Sequence, residues 1–144
     1  MSKLIITEGK GILDLIPQRP PIVMVDKFYG IEDDCSYTGL AISPDNILIE
    51  DNRFKEPGII EHIAQSAAAR VGYICKQNNV PVPLGFIGSV DKMTIHSLPK
   101  VGEELDTEIK IIQEVAEITL IGATVKSGDN LIAECRMKIF LKKE

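Results

Sequence analysis

Tryptophan is missing from these 144 residues, the rings amount to four phenylalanines and three tyrosines, and there are two histidines. So few aromatics leave no stacking platform for nucleic-acid bases. The basic residues stand singly apart from Lys142-Lys143, so no basic stripe takes its place. Cysteines are three, Cys35, Cys75 and Cys135, in no CxxC or CxxH pair, which suggests neither a zinc site nor a disulfide framework. They read as small apolar side chains in a reducing compartment. No apolar run approaches the ~18 residues of a membrane-spanning helix. The opening MSKLIITEGK lacks the apolar core and small-residue cleavage site of a signal peptide. The expectation is a cytoplasmic protein with no nucleic-acid or membrane partner, no metal and no cofactor. A net charge of -5 means that an acidic partner would need a local basic patch, for which Arg70, Lys92 and Lys100 are candidates.

What is present suits one packed domain over residues 1–144: 44% of the chain is hydrophobic and 26% charged, and no linker-like tract interrupts it. The core must rest on Ile, Leu, Val and Ala. GILDLIP reads as one helical turn stopped by Pro17. PIVMVDKFYGI and CSYTGLAI read as a hairpin turning at Asp33-Asp34, and SPDNILIEDNRFKEPG as a loop. From Gly58 to about Lys76 the period changes. Ile60, Ile63, Ala64, Ala67, Ala68, Val71, Ile74 and Cys75 recur at i, i+3, i+4, predicting an alanine-rich helix that Asn78-Asn79 and Pro81 stop. Pro57 suits its first turn. Four strand patterns follow, LGFIGSVDKMTIHSL, EELDTEIKIIQEV, AEITLIGATVKS and NLIAECRMKIFLKK. In the last, Leu131, Ala133, Cys135, Met137, Ile139 and Leu141 share a face, and in the first His96 falls opposite Met93 and Ile95. The predicted order is β-β-α-β-β-β-β, an α+β fold with one antiparallel sheet curled round a long central helix.

Three motifs carry a family resemblance: LIPQRPPIVMVDKF, EPGIIEHIAQSAAA and GFIGSVDKMTIHSLPKVGEEL, in order across about residues 12 to 105. Together they resemble the hotdog-fold 3-hydroxyacyl-(acyl-carrier-protein) dehydratases, closest to the branch of aryl-polyene and flexirubin-type pathways. The resemblance implies a subunit that dehydrates a carrier-bound 3-hydroxyacyl thioester. Its partners would be an acyl carrier protein, with its phosphopantetheine-linked chain, and a second subunit in a homodimer or a heterodimer.

Such a dehydration needs a base for the proton beside the carbonyl, an acid for the leaving hydroxyl and donors for the enolate oxygen. Glu61 matches the family's helix carboxylate, and Gln65, one turn on, is placed to orient it. Gly58 offers a backbone N–H at the helix start for the thioester carbonyl, or simply eases the turn. Gly88 either lets backbone approach the thioester or marks a bulge, and Phe86 and Ile87 beside it are candidates for the acyl-chain wall. The family's loop histidine is absent. Arg53-Phe54 stand where relatives carry His-Phe, arginine cannot serve as a base, and Gln18 stands where many relatives have a histidine in the opening turn. His62 follows Glu61 about 100° round the helix and is either a catalytic substitute or a packing residue. The missing histidine leaves two other readings open: a non-catalytic or half-site subunit that pairs with an active dehydratase, and a hotdog thioesterase.

Overall fold

The computed structural model describes residues 4–142. Short β1 (Thr7–Glu8) leads into a 3-10 turn over Gly9–Asp14, then β2 (Lys27–Glu32) and β3 (Cys35–Ala41) form the expected hairpin. Its turn rests on Asp33, whose φ of 56° is one that a short polar side chain tolerates. Within the stretch expected to be loop, β4 (Ile49–Glu50) and β5 (Arg53–Phe54) make a small hairpin of their own. The helix α1 runs Glu56–Gln77, two residues earlier than the periodicity indicates. Glu56 and Pro57 occupy its first turn, where an acidic side chain and a missing N–H are both favourable. Asn79, at φ 55°, ends it.

After the helix come β6 (Leu84–Ile95), β7 (Glu104–Val115), β8 (Ile118–Ser127) and β9 (Asn130–Lys142). Seven strands form one antiparallel sheet in the order β1-β2-β3-β7-β8-β9-β6, leaving two edges: the two-residue β1 and the twelve-residue β6. Alternation on β9 holds from Ala133 to Ile139. Before that a register shift at Val125/Lys126 turns Ile132 inward beside Ala133, and Leu131 is only half-buried. His96 lies just past the end of β6, after a bulge between Asp91 and Thr94. It is exposed, with Nε2 3.8 Å from Glu134 Oε1.

The sheet curls over α1, as the hotdog resemblance implies. The main core joins Ile59, Ile63 and Ala67 of the helix to Leu105, Ile109, Ile121, Val125 and Met137 of the sheet. A second cluster, Ile12, Leu15, Ile16, Val25, Phe28 and Ala69, packs the opening segment against the helix's other flank. There Gly72 is required by contact: a Cβ would fall 1.7 Å from the Leu15 carbonyl oxygen. The expected apolar stripe of α1 therefore divides. Ile63 enters the core, Ala67 is shared between the core and a cavity, and Ala64, Ala68, Val71, Ile74 and Cys75 line that cavity, while the buried face also carries His62, Gln65 and Ser66.

Candidate active site

Two of those three polar residues, Gln65 and His62, take the place of a strand ladder. The segment Ile22–Asp26 precedes β2, so its backbone groups need partners from elsewhere. Gln65 supplies two: its Oε1 accepts from the Met24 N–H at 2.6 Å, and its Nε2 donates to the Ile22 carbonyl at 2.9 Å. His62 takes the Met24 carbonyl at 2.6 Å through Nδ1 and meets Thr107 Oγ1 at 2.7 Å through Nε2. A carbonyl only accepts, so Nδ1 carries the proton and the neutral ring accepts from the threonine hydroxyl. Burial agrees, pushing the imidazole down from 6.5 to about 4. Ser66 adds a third link, taking a hydrogen bond from Thr38 at 2.7 Å and donating to the His62 carbonyl at 2.7 Å.

The same Gln65 carboxamide reaches Glu61 Oε2 at 2.8 Å. Glu61 is thus tied, one helical turn away, to a side chain itself fixed by two backbone bonds. It is half-buried and faces a cavity of about 450 Å³ between α1 and the sheet. The helix wall is Ala64, Ala67, Ala68, Val71, Ile74 and Cys75. Gly85, Phe86 and Ile87 of β6 stand opposite with Ile111, Ile121, Ile139 and Leu141. Polar groups are few: Gln18, Glu61, Arg70, Glu114 and Thr119. An apolar hollow with sparse polar groups at its margins suits a chain-like ligand with a reactive end.

Of the residues singled out in the sequence, Glu61, Gln65 and Phe86 are brought together at or beside this cavity, and four are not. His62 points away, with both ring nitrogens occupied in the core. Gly58 does not present a free donor: its N–H bonds the Lys55 carbonyl at 2.9 Å. A Cβ there would lie 2.4 Å from the Phe54 ring, so glycine is needed for close packing. Arg53 is exposed on β5, with Nη1 donating to the Leu98 carbonyl at 2.7 Å, and is not among the cavity's lining residues. Gly88 lies at the register shift between Ile87 and Ser89, where its missing Cβ makes room for the Phe140 ring; it is the bulge, not an approach to the cavity.

Among the lining residues that sequence reasoning does not place there, two carry buried polar atoms. Gln18 Oε1 and Arg70 Nη1 are both buried without a hydrogen-bond partner. Gln18 was visible only as a substituted histidine. Arg70 read as one of three scattered surface cations, although it follows three consecutive alanines on the helix.

An antiparallel sheet wrapped round a helix, with a held carboxyl group opening on an apolar cavity, defines a hotdog-fold protein. The family model describing the ApeP dehydratase, ApeP-like, matches residues 10–144. The chain belongs to the ApeP-like dehydratase family, which bears out the resemblance drawn from the three motifs, including its aryl-polyene branch. It is 26% identical to the 3-hydroxyacyl-(acyl-carrier-protein) dehydratase FabZ of Desulfotalea psychrophila, over 92% of this chain and 95% of that protein. To the FabZ of Oceanobacillus iheyensis it is 30% identical, over 71% and 75%. Among solved structures, the dehydratase heterocomplex ApeI:P from Xenorhabdus doucetiae matches with a TM-score of 0.85 at 14% identity, over 92% of this chain and 91% of that one.

Proposed function

We propose that the protein converts a carrier-bound 3-hydroxyacyl thioester to its trans-2-enoyl thioester, with Glu61 handling the proton and the cavity holding the acyl chain. The observation that carries this reading is the Glu61 carboxyl group fixed by Gln65 at an apolar cavity of about 450 Å³. In the reaction a C2 proton leaves, the enolate forms, and the C3–O bond breaks as the hydroxyl takes up a proton and departs as water. With no free imidazole at the cavity, one carboxyl group performs both transfers: it receives the C2 proton and returns it to the leaving hydroxyl. Gln65, bonded to Oε2, keeps the carboxyl plane in place while Oε1 works.

One observation favours a second reading. The inward-facing His62 leaves Glu61 and Glu114 as the lining's carboxyl groups, without the histidine that the FabZ-like motif carries. A half-site subunit paired with a related hotdog chain would draw that group from its partner, and the Xenorhabdus ApeI:P that shares this fold is a dehydratase heterocomplex. The test is enoyl formation, followed by mass on a 3-hydroxyacyl-carrier substrate, with wild type and Glu61→Gln each alone and with the related subunit. Wild-type activity alone, lowered about 10² to 10⁴-fold by Glu61→Gln, supports the first reading. No activity alone, and equal restoration of both proteins by the partner, supports the second. A wild type active alone that Glu61→Gln leaves unchanged removes Glu61 from the chemistry.

A further inference from the structure

Arg70 lines the apolar cavity, and its Nη1 is buried with no hydrogen-bond partner. A guanidinium is always charged and offers only donors, so a donor sealed among apolar groups is costly unless something accepts from it. The cavity's own acceptors do not fill that role: among the described residues, none of the ion pairs joins Arg70 to Glu61 or Glu114, and Gln18 Oε1 is itself buried without a partner. Around Arg70 the helix contributes Ala67, Val71 and Ile74 to the lining, all without polar side chains.

Its position relative to Glu61 gives the vacant bond a meaning. Nine residues separate the two on α1, which is about 13.5 Å of rise and half a turn round the axis. They therefore stand at opposite margins of the helix surface that floors the cavity, with Ala64, Ala67, Ala68 and Val71 between them. Small side chains along that diagonal leave a track joining the carboxyl group to the guanidinium. An extended chain advances about 1.2 Å per bond, so the rise alone takes roughly eleven bonds and the half turn round the axis adds to it.

We propose that the cavity selects an acyl chain whose far end carries a hydrogen-bond-accepting oxygen, recognised by Arg70 while the thioester end lies at Glu61. This rests on the acyl-chain reading of the cavity and adds to it the chemistry of the chain's terminus. A methyl-ended chain of the same length would leave Nη1 unpaired and bury a hydrocarbon end against a charge. An oxygen there satisfies both groups, the selection rule of a site built to pair a buried donor.

The experiment uses acyl pantetheine amides of about twelve to fourteen carbons ending in methyl, hydroxyl or carboxylate; the amide in place of the thioester keeps chemistry out of the measurement. Affinities are taken by calorimetry for wild type, Arg70→Leu and Arg70→Lys, with the related subunit present if the two copurify. Wild type is expected to bind an oxygen-ended chain about tenfold or more tightly than the methyl-ended one, about 1.4 kcal/mol. Arg70→Leu brings that ratio close to one, and Arg70→Lys, which keeps a cationic donor, retains part of it. A tighter carboxylate assigns an anionic terminus and a tighter hydroxyl a neutral one; either supports the proposal. Equal binding of all three chains by wild type, or no binding of any, overturns it. So does a preference that survives in a folded Arg70→Leu, and if that variant does not fold, an undiminished preference in Arg70→Lys does the same. If the preference holds while the Glu61 turnover test fails, dehydration falls and recognition of the chain end stands. If turnover holds and the three chains bind alike, only the present proposal falls.

Discussion

At the scale of single residues, adjacent positions on α1 divide between chemistry and architecture. Glu61 meets the cavity, whereas His62 is fully buried and clamps Met24 to Thr107. Sequence could place both on the helix, but not tell which faced the cavity, because the partners of the buried imidazole lie 38 and 45 residues away. The assignment has a pH consequence. The folded imidazole is held at about 4 and an unfolded one near 6.5, so stability from the neutral ring is complete above pH 6.5 and lost as pH falls toward 4. Between pH 7 and pH 5 that loss is about 2 kcal/mol. Urea unfolding of wild type and His62→Asn at both pH values isolates it from the carboxylates, which titrate in both proteins. The variant should be less stable at pH 7 but lose less between the two conditions. Parallel losses in the two proteins would place His62 outside the buried clamp.

At the scale of elements, the hairpin, the long helix and the four strands were legible because each carries its own period and stop signals. Three departures had causes outside the local pattern. The β4–β5 hairpin consists of two-residue strands, too short to show alternation. The slip on β9 that buries Ile132 belongs to its pairing with β8 rather than to its own sequence. The helix stripe was read as one buried face because alanine serves equally well against a core and beside a hollow. That last distinction can be measured. Ala67 is buried in the core, and Ala67→Leu should cost about 1–3 kcal/mol by overpacking, lowering the melting temperature by several degrees. Ala68 is half-buried, lining the cavity and packing against the second cluster, so Ala68→Leu should lower the melting temperature by less than Ala67→Leu while filling space in the cavity. Equal destabilisation by both would mean that the cavity wall and the core are one packed surface.

At the scale of the whole molecule, the two edges of the sheet are treated differently, and the difference predicts association. β1 is too short to template another strand, but β6 offers twelve residues along the other margin, interrupted by shifts after Ile87 and Asp91. Its uninterrupted start is apolar and open: Leu84 and Phe86 are 47% and 51% exposed. The registers extend this across the sheet, since Phe86 pairs with Phe140, Phe140 with Ile118 and Ile118 with Val115, and all four are exposed. Directly paired residues share a face, so one apolar row crosses four strands and ends at the free edge. Rows of that kind mark contact surfaces, and a related subunit adding its own strand along β6 would cover both the edge and the end of the row. Light scattering at micromolar concentration should therefore give a mass above the 15.9 kDa of one chain, either for the protein alone or on adding the related subunit. Leu84→Lys with Phe86→Lys places two charges at the uninterrupted part of the edge and should weaken association by tenfold or more, about 1.4 kcal/mol at least. Secondary structure should persist, because both side chains are about half exposed and neither belongs to the core, although Phe86 also borders the cavity. A 15.9 kDa species for wild type under both conditions would leave β6 a tolerated free edge and count against the half-site reading.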